Sequence, residues 1–141
     1  MHRRVRGFTL IELMVVVAIL CILALIALPK FSDMIRKANE AGTKGHLSNI
    51  RAGIRLYYMD NEQIFPEYFN ALRDAGGKYL SGSIPLFTGI HPVTDAVDDL
   101  LGVDTLSDVC RWGFVNNGPD TGYFWIQCSH MDSSNRIWSQ Y

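Results

Sequence analysis

The sequence predicts an α+β fold, a long N-terminal helix packed on a small C-terminal antiparallel β-sheet, and three observations carry that prediction. Sixteen consecutive apolar residues run from Leu13 to Leu28, a stretch that suits a helix in lipid. Beyond Pro29, Leu47, Ile50, Ile54 and Tyr57 recur at helical spacing, with Met34, Ile35 and Ala38 upstream, which marks an amphipathic helix. Near the other end, VCRWGFV and GYFWIQC flank the turn-rich NNGPDT, a hairpin signature.

The first element begins in MHRRVRGFTLIELMVVVAIL. A basic stretch before an apolar one could be a secretory signal peptide. Against that stand the length of the apolar run, the lack of a small-x-small cleavage site after it, and two polar residues at its start, Thr9 and Glu12. From Phe8 to Leu28 there are 21 residues, about 31 Å of helix, which spans a bilayer core. The positive-inside rule places Arg3, Arg4 and Arg6 in the cytoplasm and the C-terminal body outside. Glu12 is then the anomaly, because an ionised carboxylate among apolar residues is costly unless a cation meets it. Cutting the chain after Gly7 would create that cation, an ammonium on Phe8, four residues before Glu12 and on the same helical face. A carboxylate near a helix N-terminus is also favoured by the macrodipole.

Composition narrows the remaining classes. The 141 residues carry a net charge of −1, enough chain for one domain beside the apolar segment. Without the three leader arginines, ten cationic side chains face fourteen acidic ones, a net of about −4, so bulk charge gives no support for nucleic-acid binding. Cys21 lies in the apolar run, where a structural thiol is unreactive. Cys110 and Cys128 lie in the polar half, which suggests a disulfide in an oxidising compartment.

The run RGFTLIELMVVVAI resembles the processing site of the type IV pilin superfamily, which includes the pseudopilins of type II secretion. The likeness rests on a short basic leader, Gly7, the aromatic Phe8, Thr9, and Glu12 as fifth residue of the mature chain. It implies that a prepilin peptidase cuts between Gly7 and Phe8 and N-methylates Phe8. It implies, too, that Glu12 pairs with the Phe8 ammonium of a neighbouring subunit during assembly. The expected organisation is a leader, 1–7, that is removed; a transmembrane or filament-core helix, 8–30; and a pilin head, 31–141, that includes the amphipathic half of the helix. The implied partners are further copies of the chain in a helical filament, the peptidase, a pilus or secretion assembly platform, and the membrane. The implied location is the inner membrane, single-pass with a cytoplasmic N-terminus, and then an extracellular or periplasmic filament.

Pro29 removes the backbone bond to Leu25 and is expected to kink the helix; the family also has a proline here, but commonly a glycine where this chain has Cys21. Gly42, Gly45 and Gly53 each weaken a helix by about 1 kcal/mol relative to alanine, which close packing would justify. The helix is expected to end near Asp60 and Asn61. Here YYMDN followed by Phe65 and Pro66 again resembles pilins and major pseudopilins. A short helix from about Pro66, stopped by Gly76 and Gly77, comes next. The acidic segment HPVTDAVDDLLGVDTLSD reads as loop with a short helix through Ala96 to Leu101, and RIWSQY as a last strand.

For the hairpin, a register in which paired residue numbers sum to 238 sets Cys110 against Cys128, Trp112 against Ile126 and Phe114 against Phe124. All three pairs then share one apolar face, which should pack on Ile50, Ile54 and Tyr57. The opposite face carries Arg111 with Gln127, Gly113 with Trp125 and Val115 with Tyr123. Two buried free cysteines are the alternative to the bridge.

No catalytic arrangement stands out, and the chain is not read as an enzyme. His46, His91 and His130 fall in no recognised spacing with Cys or Ser, and there is no Gly-rich phosphate loop. Asp95, Asp98, Asp99, Asp104 and Asp108 could offer oxygen ligands to calcium, and similar major pseudopilins bind calcium in a C-terminal loop. Their spacing matches no calcium motif, and solvated charge is the commoner explanation, so no cofactor is expected. The function expected is a structural subunit of a type IV pilus-like filament. The alternatives are a type II secretion major pseudopilin, toward which the YYMDN passage leans, and a monomeric membrane-anchored binding domain, in which Glu12 would have no purpose.

Overall fold

The helical periodicity is realised as a single helix, α1, Leu10–Asp60, of 51 residues, continuous through Pro29. The computed structural model describes residues 7–74, 76–100 and 108–141; Arg3, Arg4, Arg6 and Asp104 lie outside them. The chain divides into two compact units, Met1–Arg36 and Lys37–Tyr141. In the first, the large apolar side chains from Phe8 to Ile35 are all exposed, and α1 contains a stretch long and apolar enough to cross a membrane. Among the described residues of that unit, none gives these side chains a core to enter.

In the second unit α1 turns its apolar stripe inward. Leu47, Ile50 and Ile54 are buried, and Tyr57 packs against the same core. The helix stops where expected: the Asn61 side-chain amide and backbone N–H both donate to the Tyr57 carbonyl, at 2.8 and 3.0 Å, satisfying a terminal acceptor. Of the three glycines, Gly53 has the packing reason. A Cβ there would lie 2.7 Å from the Tyr79 carbonyl oxygen, whereas Gly42 and Gly45 have nothing within 4 Å. Residues expected to open a helix at Pro66 form turns instead, and α2 is the single turn Ala71–Asp74. Gly76 and Gly77 follow at φ 69° and 75°, a left-handed stop that glycine permits.

The sheet has three strands in the order β1, Val97–Leu100; β2, Arg111–Val115; β3, Phe124–Gln127. The hairpin register is the one the alternation selects: Trp112 opposes Ile126, Gly113 opposes Trp125 and Phe114 opposes Phe124. Three expectations are corrected. Residues 97–100 form a strand rather than part of a helix, and that strand runs parallel to β2, with Val97 opposite Trp112, so the sheet is mixed. Two adjacent aspartates hide the strand, yet each has a use there. Asp98 accepts from Arg111 at 3.2 Å, and Asp99 accepts from the Phe69 backbone N–H at 3.0 Å. RIWSQY is not a strand either. Ile137 makes an isolated bridge to Met131, and Trp138–Gln140 closes a 3-10 turn because Trp138 is drawn into the core.

Trp112, Phe114, Phe124 and Ile126 join Ile50, Ile54 and Phe69 in one core, with the Phe124 ring stacked on Phe69 and Trp112 at 5.3 and 5.4 Å. Each such ring or aliphatic side chain contributes about 1.5–3 kcal/mol of burial. The opposite face is buried as well: Trp125 and Gln127 lie across Gly113, where a Cβ would come within 3.0 Å of both. Opposite α1, Asp132 holds the last segment. Its side chain is fully buried and accepts from Lys44 at 2.5 Å, the Tyr141 hydroxyl at 2.6 Å and the backbone N–H groups of Ser134 and Arg136 at 2.8 and 3.0 Å. Burial pushes this carboxyl up, but the Lys44 ammonium and the three hydrogen bonds outweigh it and hold it far below the usual carboxylate range.

Candidate processing and assembly site

The helix begins at Leu10, so the Gly7–Phe8 bond lies ahead of it in irregular backbone, with Gly7 exposed and Phe8 72% exposed. A protease needs an unwound, accessible bond, and this one is both. A Cβ on Gly7 would meet nothing within 4 Å. Among the described residues, therefore, nothing demands glycine there.

Thr9 and Glu12 form a reciprocal cap at the start of α1. The Thr9 backbone N–H and hydroxyl donate to Glu12 Oε2 at 2.9 and 2.8 Å, and the Glu12 N–H donates to the Thr9 hydroxyl at 3.3 Å. This is the Thr-x-x-Glu capping box, which satisfies amide groups that a helix start leaves without partners. Sequence reasoning placed Glu12 correctly near the helix N-terminus but missed Thr9 as its partner, although the three-residue spacing was there to be read. The cap gives the carboxylate an occupation within its own chain before any cation is available. It also aims Glu12 back toward residue 8, where cleavage would place an ammonium.

The chain's N-terminal residues 2–28 match the family model described as the prokaryotic N-terminal methylation motif. Over 131 residues the chain is 33% identical to the fimbrial protein EcpC of Eikenella corrodens, covering 91% of this chain and 85% of that protein. The chain belongs to the type IV pilin superfamily. Two further relatives cover less. The type IV major alpha-pilin of Moraxella bovis is 54% identical over 43 residues, 30% of this chain and 27% of that protein. The type II secretion system core protein G of Pseudomonas aeruginosa is 42% identical over 60 residues, 43% of this chain and 42% of that protein. No solved structure matches the chain significantly. Members of this superfamily are structural subunits, and the chain is accordingly a structural protein rather than an enzyme.

In the head of this pilin, Cys110 and Cys128 are bonded, with Cα atoms 4.5 Å apart, and both are buried at the end of the β2–β3 ladder. Cys21 is a free, exposed cysteine of α1. Of the aspartates considered for calcium, Asp104 lies outside the described residues. Asp98 and Asp99 are neighbours on β1 and turn to opposite sides, toward Arg111 and toward Phe69 respectively, and Asp95 is exposed. His46 stays on α1, whereas His91 and His130, 39 residues apart, come into contact.

Proposed function

We infer that this chain is the precursor of a structural subunit of a type IV pilus-like filament. The observation that carries this is the conjunction at the N-terminus: an accessible Gly7–Phe8 bond, a capped Glu12 and an exposed apolar helix follow one another within the methylation motif. In this account a prepilin peptidase cleaves after Gly7 and methylates the Phe8 nitrogen. The precursor waits in the inner membrane with its leader in the cytoplasm, the side favoured by the leader arginines. An assembly platform then extracts it, and the apolar helices exchange lipid for one another. Glu12 exchanges the Thr9 cap for the Phe8 ammonium of a neighbour, which compensates its charge as it leaves the membrane face. The heads cover the outside of the filament.

The second reading is a type II secretion pseudopilin, supported by the likeness to protein G across 60 residues. The Cys110–Cys128 bridge favours the pilus subunit. Mass spectrometry of sheared surface filaments tests the processing step. The subunit is expected to begin at Phe8 with one added methyl group, and a filament subunit that begins at Met1 would refute it.

A further inference from the structure

Just beyond the disulfide, three side chains from separate parts of the chain converge on one point. The ladder register that opposes Trp112 to Ile126, continued two residues past the bridge on each side, sets Asp108 opposite His130. His91 arrives from the loop before β1. His130 Nδ1 lies 3.3 Å from His91 Nε2 and 3.3 Å from Asp108 Oδ1. Donor atoms of these three residues and of the two cysteines all lie within 4.8 Å of one another.

Hydrogen bonding alone leaves this arrangement incomplete. A proton on His91 Nε2 can point at His130 Nδ1, but Asp108 then faces a lone pair. A proton on His130 Nδ1 can point at Asp108, but the facing nitrogen of His91 is then left out. No placement gives both contacts a straight hydrogen bond, because one ring nitrogen offers a single hydrogen or a single lone pair whatever its protonation, and Cys128 Sγ lies 3.6 Å from the same nitrogen. A cation held between the three atoms satisfies all of them. The distances suit one size of ion: ligands at about 2.0–2.1 Å in tetrahedral geometry stand about 3.3–3.4 Å apart, the spacing seen for both contacts. Two imidazoles and one carboxylate select a zinc-class transition metal over calcium or magnesium, which take oxygen ligands. The Ser129 backbone N–H donates to Asp108 at 3.3 Å, the kind of outer support that orients a ligand.

The geometry points to a zinc-class metal site built from His91 Nε2, Asp108 Oδ1 and His130 Nδ1, with its fourth position open to water. The disulfide forms its inner wall and supplies no thiolate, since the two sulfurs are bonded to each other. The role is to pin the loop that carries His91 to the end of the hairpin on the head, an attachment that the backbone ladder does not provide.

The test uses the whole chain in detergent micelles, free of any polyhistidine tag and with its disulfide intact, titrated with zinc chloride and separately with cobalt chloride. Expected are one zinc ion per chain and a cobalt spectrum with the intense visible bands of a tetrahedral site but no thiolate charge-transfer band. His91→Ala and His130→Ala are each expected to weaken zinc binding by about tenfold or more, and His46→Ala to leave it unchanged. Because both losses are read against a variant in the same fold, with circular dichroism and a protected disulfide as controls, misfolding is separable from ligand loss. Absence of zinc binding, unchanged binding in either loss variant, or ready displacement of zinc by calcium would each overturn the site.

Discussion

Alanine at Gly53 and at Gly45 should move the stability of the head in opposite directions. Both positions lie in α1, and at both alanine gains roughly 1 kcal/mol of helix propensity. At Gly45 nothing opposes that gain, because the added methyl has no neighbour within 4 Å. At Gly53 the methyl would stand 2.7 Å from the Tyr79 carbonyl oxygen and 3.5 Å from its carbon. That neighbour is backbone, so it cannot rotate away; either the helix or the Tyr79 segment must shift. Overpacking of this kind costs about 1–3 kcal/mol, and it also disturbs the Tyr57–Tyr79 ring contact at 5.1 Å. Gly45→Ala should therefore stabilise by about 0.5–1 kcal/mol, and the two variants should differ by about 1–3 kcal/mol. Urea unfolding in detergent, followed by the near-ultraviolet dichroism of the buried Trp112, Trp125 and Trp138, reads the head without the apolar helix. A Gly53→Ala variant as stable as Gly45→Ala would refute the close approach.

Two further perturbations probe other parts of the head. Replacing Cys110 and Cys128 by serine opens a loop with a sequence separation of 18 and should cost about 3 kcal/mol in a chain-entropy treatment, seen as a lower urea midpoint under non-reducing conditions; an unchanged midpoint would contradict it. Asp132 has a depressed pKa in the folded state relative to its usual 3.8, so its stabilisation is full above about pH 4 and is lost as pH falls below that. Acid unfolding should accordingly be less steep in Asp132→Asn, which has no carboxylate to protonate, and identical pH profiles would be the contrary result.

Local patterns reached the fold where one periodicity dominates. Residues 47–57 of α1 were legible because apolar residues recur there at helical spacing, and the β2–β3 register because they alternate, so that a one-residue slip would have put Arg111 opposite Cys128. β1 was not legible, because VDDL carries charge on both sides of the strand. Its place is set by parallel pairing with β2 and by what Asp98 and Asp99 meet, none of which is local. RIWSQY reads as strand from its composition, but Trp138 enters the core and bends the backbone into a 3-10 turn. The N-terminal site divides the same way. Gly7, Phe8 and Glu12 stand out by type and spacing, and Thr9 was readable as half of a capping box. His91 and His130 could not be paired from sequence, since two loops and a disulfide bring them together.

If the carboxylate at the start of an apolar helix exists for assembly, Glu12→Val separates that role from cleavage and insertion. Valine removes the charge and leaves the Gly7–Phe8 bond and the apolar length intact, so cleavage and membrane residence should persist. Sheared filaments are to be quantified beside the membrane pool of the mature subunit, each measured against the wild type. A full pool of mature subunit beginning at Phe8 and few or no filaments are expected. Wild-type amounts of filament from cleaved Glu12→Val protein would contradict that role.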